Sequence, residues 1–190
     1  AAAAFVEHGF LRTQMDDIAG RLGVSKGTVY RSVDSKECLF AAVIAFADFP
    51  DQIPVTGLEA IGDIAAIGAG LAVELVDGVA RLELAQVVAD RKRLRADGGF
   101  GEEIERATIG LYRVMRSRRT AIMVLDRCAV EFPELAAVWY GDGRYALVDL
   151  WEHYLELRAS HVATGIDRAI LARTIVEVLT TWAVKMPWDP

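Results

Sequence analysis

The stretch TQMDDIAGRLGVSKGTVYRSVDSK, residues 13–36, holds two short helical patterns joined by a tight turn. Thr13 and Asp16 stand three apart, the spacing at which a hydroxyl and a carboxylate satisfy the free backbone donors of a helix start reciprocally. Met15, Ile18, Ala19 and Leu22 then fall on one face of the next helix. Gly23 can end it by taking a left-handed conformation, Val24 plugs inward, and Ser25 caps a second helix running to about Ser32. Val29 and Val33, four apart, face inward with Ile18, Leu22 and Val24, whereas Thr28, Arg31 and Ser32 point away. A helix-turn-helix lays its second helix in the major groove of DNA, which needs an outward face of this kind on a rigid inward one. Gly27 is costly in mid-helix but lets the backbone come close to DNA. Ser25 and Lys26 sit at the helix start, where free N–H groups and the dipole favour a phosphate.

Working outward, Asp34 and Ser35 form a break, and Ser35 caps a longer helix through Leu39, Phe40, Val43 and Ile44 to about Phe46. Pro50 and Pro54 end it and mark a boundary. Before residue 13, the pattern of Ala2, Phe5 and Val6 reads as the end of a helix, Ala1 to Gly9, that begins ahead of this chain. A preceding N-terminal arm is therefore expected. Beyond the prolines apolar residues recur at three and four, and strand signals are nearly absent. Helices are expected over Leu58 to Val76, Val79 to Arg95, Glu102 to Arg118, Thr120 to Glu131, Pro133 to Ala163 and Asp167 to Met186, with a loop at Asp97, Gly98 and Gly99. Gly141 and Gly143 are places where the fifth of these can kink or break. The fold class is thus all-α, with a helix-turn-helix domain over residues 1–48 and a larger helical domain over 55–190.

Composition sets limits on function. With 53% apolar residues and only 5 prolines in 190 residues, disorder is excluded and a sizeable core is possible. The mean hydropathy of +0.26 raises the membrane question. The most apolar run, Ile61 to Val76, is however cut by Asp63 and Glu74, so no spanning helix and no membrane partner are expected. The Ala-rich start lacks a basic leader, so a signal peptide is not expected. Cys38 and Cys128 have no metal-like spacing and read as reduced, packed thiols of a cytoplasmic protein. The net charge of −6 argues against coating nucleic acid non-specifically. Positive charge is instead local: Arg21, Lys26, Arg31 and Lys36 stand against Asp34 alone between residues 21 and 36.

Phe5, Gly9, Phe10, Thr13, Ile18, Ala19, the run from Gly23 to Tyr30, and Ser35, Lys36, Glu37 and Leu39 together resemble the tetracycline-repressor (TetR) family. The resemblance covers about the first quarter of the chain. It implies an all-helical homodimer with an N-terminal DNA-binding domain and a divergent helical domain that binds a small-molecule inducer. Carried over by position, it implies that Thr13 holds a phosphate at the start of the second helix. Ser25, Lys26, Gly27 and Thr28 would meet phosphates and base edges, and Tyr30 would give its hydroxyl to a phosphate. Arg31 would reach a guanine bidentately, and Lys36 would contact the DNA backbone. Just after Arg31 the family commonly has His and then Phe, where this chain has Ser32 and Val33. That departure bears on which operator is read.

In the rest of the chain, Leu147, Leu150, Trp151 and Tyr154, with Ile170, Ile175, Val178, Leu179 and Trp182, make two apolar faces broader than one monomer core needs, which points to a homodimer. The resemblance implies that these two helices pair with their partners in a four-helix bundle. An inducer pocket calls for aromatic and soft residues with sparse polar ones. Phe100, Tyr112, Met115, Met123 and Trp139 are the lining candidates, and Gln86, Arg116 and Asp126 the orienting ones. Arg91, Lys92, Arg93 and Arg95 read as a helix C-terminus rather than an anion site. Asp149 and His153 are spaced like a metal pair, but a surface hydrogen bond explains them, and neither metal nor cofactor is expected. Glu131 to Leu135 resembles a recurrent family element; a proline in the first turn of a helix is equally compatible.

The resulting expectation is a transcription regulator, a repressor released from a near-palindromic operator in double-stranded DNA by a small molecule. An all-helical adaptor without sequence-specific DNA binding is the alternative. No catalytic constellation is recognisable, so an enzyme is not expected.

Overall fold

The structure, a computed structural model, describes residues 1–53, 63–90 and 99–186, the side chain of Val76 excepted. Among them every regular element is helical. The helices are α1 (Ala2–Arg12), α2 (Met15–Leu22), α3 (Lys26–Tyr30), α4 (Lys36–Phe46), α5 (Ile64–Ala80) and α6 (Glu83–Ala89). They continue with α7 (Phe100–Ser117), α8 (Arg119–Cys128), α9 (Pro133–Ala136), α10 (Ala146–Leu157) and α11 (Arg168–Thr180). Packing divides the chain into two compact units, Ala1–Leu71 with Arg118–Trp139, and Ala72–Ser117 with Tyr140–Pro190. The first unit thus contains α1 to α4 together with α8 and α9, which come from much later in the sequence.

The core of the first unit is aromatic. Phe5, Phe10 and Phe40 form a triangle with ring centroids 5.2–6.0 Å apart, and Phe132 lies edge-on to Phe10 at 5.2 Å. Each such pair adds roughly 0.5–1.5 kcal/mol beyond the area it buries. Ile18, Cys38, Val124, Cys128 and Leu135 are buried in the same unit. Burial pushes the Cys128 thiol up to about 12, so it stays protonated and packs as a small apolar group. Helix α8 packs on α1 and α4. Its first turn is capped from outside: Asp48, just after α4, accepts from the backbone N–H groups of Thr120 and Ala121, both at 2.9 Å.

In the second unit α6, α7, α10 and α11 surround Trp151, Tyr154, Leu111, Leu155, Ala172 and Val176. Glu103 on α7 and Arg158 at the end of α10, each 6% exposed, form a bidentate pair, with Nε to Oε1 at 3.1 Å. Burial works against the Glu103 carboxylate, but its bonds to Arg158 outweigh this and hold its pKa below the ordinary glutamate value.

Several helix bounds differ from the sequence expectation, for identifiable reasons. The expected helix from Val79 to Arg95 is interrupted at Arg81 and Leu82, where α5 ends and α6 begins. The helix expected from Pro133 to Ala163 runs without a break from Pro133 to Leu157. Ala137–Tyr145 widens into a π-helical segment around Gly141 and Gly143, whose weak helix propensity permits the wider turn, and Arg158 ends α10. Asp167 caps α11 rather than opening it, accepting from Ala169 and Ile170. Pro54, Leu58, Ile61, the basic run 91–95 and the loop residues Asp97 and Gly98 lie outside the described residues.

Candidate nucleic-acid interface

Helix α2 starts one residue later than the Thr-x-x-Asp spacing suggests. Gln14 is its cap: its backbone carbonyl accepts from the Asp17 N–H at 3.1 Å, and its own N–H donates to Asp17 Oδ2 at 2.9 Å. Thr13 is fully buried, and its hydroxyl lies 2.6 Å from the Gly9 carbonyl and 3.2 Å from that of Ala4. The expectation that Thr13 holds a phosphate is therefore corrected. Its hydroxyl is committed inside the protein, closing the end of α1.

At its other end α2 stops as the sequence implies. Gly23 adopts φ 67°, and the N–H groups of Gly23 and Val24 return to the carbonyls of Gly20 and Ala19. This pattern satisfies the last carbonyls of the helix and sets the chain at the angle α3 needs. The side chains of this turn do not follow the expected inward packing. Leu22 is 60% and Val24 41% exposed, so the inner face consists of Met15, Ile18, Ala19, Val29 and Val33.

Helix α3 is short and capped by Ser25, whose Oγ accepts from the Thr28 N–H at 3.2 Å. A row of polar side chains runs along it: Ser25 Oγ lies 2.9 Å from Thr28 Oγ1, and Arg31 Nη2 donates to Thr28 Oγ1 at 3.1 Å. Arg31 and Ser32 are exposed, Thr28 is half-buried and Tyr30 is 43% exposed. Because Thr28 is a neutral partner, this bond orients the Arg31 guanidinium without offsetting its charge. Gly27 has open space where a Cβ would stand, apart from Ser25 Oγ at 3.9 Å.

The remaining cations are less available than the sequence suggests. Lys26 Nζ lies 2.9 Å from Asp16 Oδ2, and that hydrogen bond raises its pKa, so it is charged but paired. Arg21 pairs with Glu7, whose pKa it lowers. Lys36, expected on the DNA backbone, is half-buried; it donates to the carbonyls of Phe10 and Thr13 at 3.0 and 3.1 Å and sits 4.4 Å over the Phe10 ring. A pair of close carbonyls and an aromatic face make this ammonium an internal staple, which corrects the expected DNA contact. Arg12 and Gln14 are exposed on either side of buried Thr13.

The ligand-pocket candidates fall in different units. Met123, Asp126 and Trp139 belong to the first, where Trp139 Nε1 donates to Asp126 Oδ1 at 2.9 Å. Gln86, Phe100, Tyr112, Met115 and Arg116 belong to the second. There Phe100 stacks on Tyr154 and His161, Met115 is buried and meets the Thr180 hydroxyl, Arg116 reaches the Ala183 carbonyl, and Gln86 is exposed. A groove beside Trp151, lined by Leu82, Leu84, Ala107, Gly110 and Leu111, holds about 20 Å³, room for one water. Among the described residues the Trp151 indole N–H has no partner. The Tyr154 hydroxyl faces the Glu103 carboxylate, and burial together with that carboxylate raises its pKa.

Of the expected dimer residues, Trp151 and Tyr154 are fully buried and Leu179 is 9% exposed. They are core residues of the second unit, because α10 and α11 pack chiefly on each other; this corrects their assignment to an interface. Ile170, Val178 and Trp182 stand exposed along α11 and the turn after it, and Leu150 is half-buried. Leu147 and Ile175 are half-buried as well. No helix among the described residues is long and apolar enough to cross a membrane.

Residues 1–43 match the family described as bacterial regulatory proteins, tetR family. No curated protein and no solved structure matches the chain. The matched span contains α1 to α3 and most of α4, with every residue placed above on or around the reading helix. Over those residues this all-helical chain is similar to the DNA-binding part of that family's transcription regulators.

Proposed function

We propose that the chain is a homodimeric repressor that binds a near-palindromic operator in double-stranded DNA and is released by a small molecule. The observation that carries this reading is the ordered polar row Ser25, Thr28, Arg31 on α3, with a charge-bearing guanidinium at its open end. In this reading Arg31, Thr28 and Ser32 face base edges, and Ser25, Lys26, Gly27 and Tyr30 meet the phosphates beside them. Lys26 exchanges Asp16 for a phosphate on binding. Residues 1–48 form the DNA-binding part and 55–190 the effector and dimer part.

Two-fold pairing is assigned to the exposed line Ile170, Val178 and Trp182, with Leu147, Leu150 and Ile175 at its margin. A dimer presents two reading helices to successive major grooves roughly 34–36 Å apart. The effector is assigned to the second unit, where the Trp151 indole N–H is buried without a partner among the described residues, a costly arrangement that a ligand offering an acceptor relieves. Gln86, Phe100, Tyr112, Met115 and Arg116, on α6 and α7 of that unit, are the proposed effector contacts. A ligand acts by binding more tightly to a dimer geometry that misfits DNA.

The test is anisotropy titration of a duplex selected by the wild-type chain from a random library, with Lys26→Ala, Tyr30→Ala and Arg31→Ala. Each substitution weakens binding, and Arg31→Ala also relaxes preference at one base pair. Unchanged binding in all three sinks the reading and favours an adaptor without sequence-specific DNA binding.

A further inference from the structure

Helix α1 breaks at Gly9, which takes φ 79° and ψ 177°, a conformation open essentially to glycine alone. The break interrupts the helical hydrogen bonding around His8 and Leu11, and two side chains from more than a hundred residues later attach there. Arg127 Nη2 donates to the His8 carbonyl at 3.0 Å, and the Leu11 N–H donates to Glu131 Oε2 at 2.8 Å. Arg127 and Glu131 also bond to each other at 3.2 Å, so the two contacts act as one clamp. The clamp lies directly on Gly9. A Cβ there would stand 2.0 Å from Glu131 Oε1 and 2.8 Å from Arg127 Nη1, so this residue is glycine for space as well as for its torsion.

Past the break the chain leads into the reading apparatus. Phe10, Leu11 and Arg12 run to Thr13 and Gln14, where α2 starts, and α2 packs on α3. Lys36 holds the Phe10 and Thr13 carbonyls, and Phe132 packs on the Phe10 ring. Helix α8, which carries Arg127, is itself fixed at its other end: Asp48 caps it, and Arg118 donates to the Ala45 carbonyl at 3.1 Å while lying over the Phe49 ring. The direction in which α1 leaves Gly9 is thus set by the residue 118–135 segment and not by the first 43 residues alone.

We propose that Arg127 and Glu131 are positioning residues for DNA binding: they fix the Gly9 break and thereby the placement of α2 and α3 against DNA, without touching DNA themselves. The proposal rests on the DNA-binding reading above. Removing the clamp leaves the exposed face of α3 chemically intact but lets the two helices tilt away from their seat on the phosphates. The expected signatures are weaker binding and fewer counterions released.

The experiment measures affinity of the full chain for the library-selected duplex across a salt series, at a temperature where circular dichroism shows each variant folded. Glu131→Ala binds about tenfold more weakly, the size expected for losing a hydrogen bond to a charged group. Its plot of log affinity against log salt is shallower by about 0.9, one phosphate contact. Glu131→Gln, which keeps an oxygen for the Leu11 N–H, restores most of both. Should Glu131→Ala not fold, Arg127→Met carries the same expectation. Wild-type affinity and slope in the folded clamp variants overturn the proposal, as does a loss of affinity that leaves the slope unchanged. If Lys26→Ala and Arg31→Ala weaken binding while the clamp variants do not, only the positioning role fails; if none of them changes binding, the DNA-binding reading fails with it.

Discussion

Two ion pairs in this chain have similar chemistry and opposite surroundings. Glu103 and Arg158 lie in the core of the second unit, bidentate and almost out of reach of water. Lys26 and Asp16 lie on the surface of the helix-turn-helix, half or more exposed. A buried pair costs a great deal to break, because the surviving charge has no solvent to turn to. An exposed pair contributes little to stability and exchanges readily for another anion. The first is suited to holding a core in register. The second is suited to a surface that must let go of its own carboxylate when a phosphate arrives.

Breaking the buried pair gives the largest effect. Arg158→Met destabilises by about 3–5 kcal/mol in urea unfolding, while Glu103→Leu combined with Arg158→Met recovers most of that loss. A double variant as unstable as the single one contradicts the account. The same pair sets a pH dependence. Because the folded-state pKa of Glu103 lies below its unfolded value, its contribution is fully present above the ordinary glutamate range and is lost as pH falls through the folded value. The urea midpoint therefore drops on acidification, and Glu103→Gln flattens that dependence at the expense of stability at neutral pH.

Thr13 lies between the two extremes, neutral but buried. Thr13→Val costs about 1–3 kcal/mol by leaving the Gly9 carbonyl without its hydroxyl, and Thr13→Ser costs less. Both keep wild-type DNA affinity per folded molecule, which a phosphate-binding threonine would not. The smallest stability effect belongs to the exposed pair: Asp16→Asn moves Tm by no more than about 2 °C. It nevertheless tightens DNA binding several-fold, because Lys26 no longer has to leave a carboxylate.

The contrast also explains what was legible in the sequence. The caps at Ser25 and Ser35, the left-handed Gly23 and the buried pair Val29 and Val33 all depend on neighbours a few residues away, and the pattern of residues revealed them. Thr13 did not yield to the same reasoning. Thr13-x-x-Asp16 and Gln14-x-x-Asp17 are offset by one residue, and what separates them is a pair of carbonyls on α1. Lys36 looked like a DNA contact for the same reason, its partners being backbone oxygens more than twenty residues away. Trp151, Tyr154 and Leu179 lie on apolar faces whose breadth suggested a dimer, yet those faces meet each other within one unit. The clamp of Arg127 and Glu131 on Gly9 had no local signal at all beyond an unexplained glycine.

The central claim is that α3 reads DNA through Arg31 held by Thr28. In vitro selection from a random duplex library tests it most directly, run in parallel with the wild-type chain and Arg31→Ala. The account predicts a near-palindromic site enriched by the wild type, with preference lost at one base pair in each half-site for the variant. Failure of the wild type to enrich any sequence, or identical sites from both proteins, would contradict it.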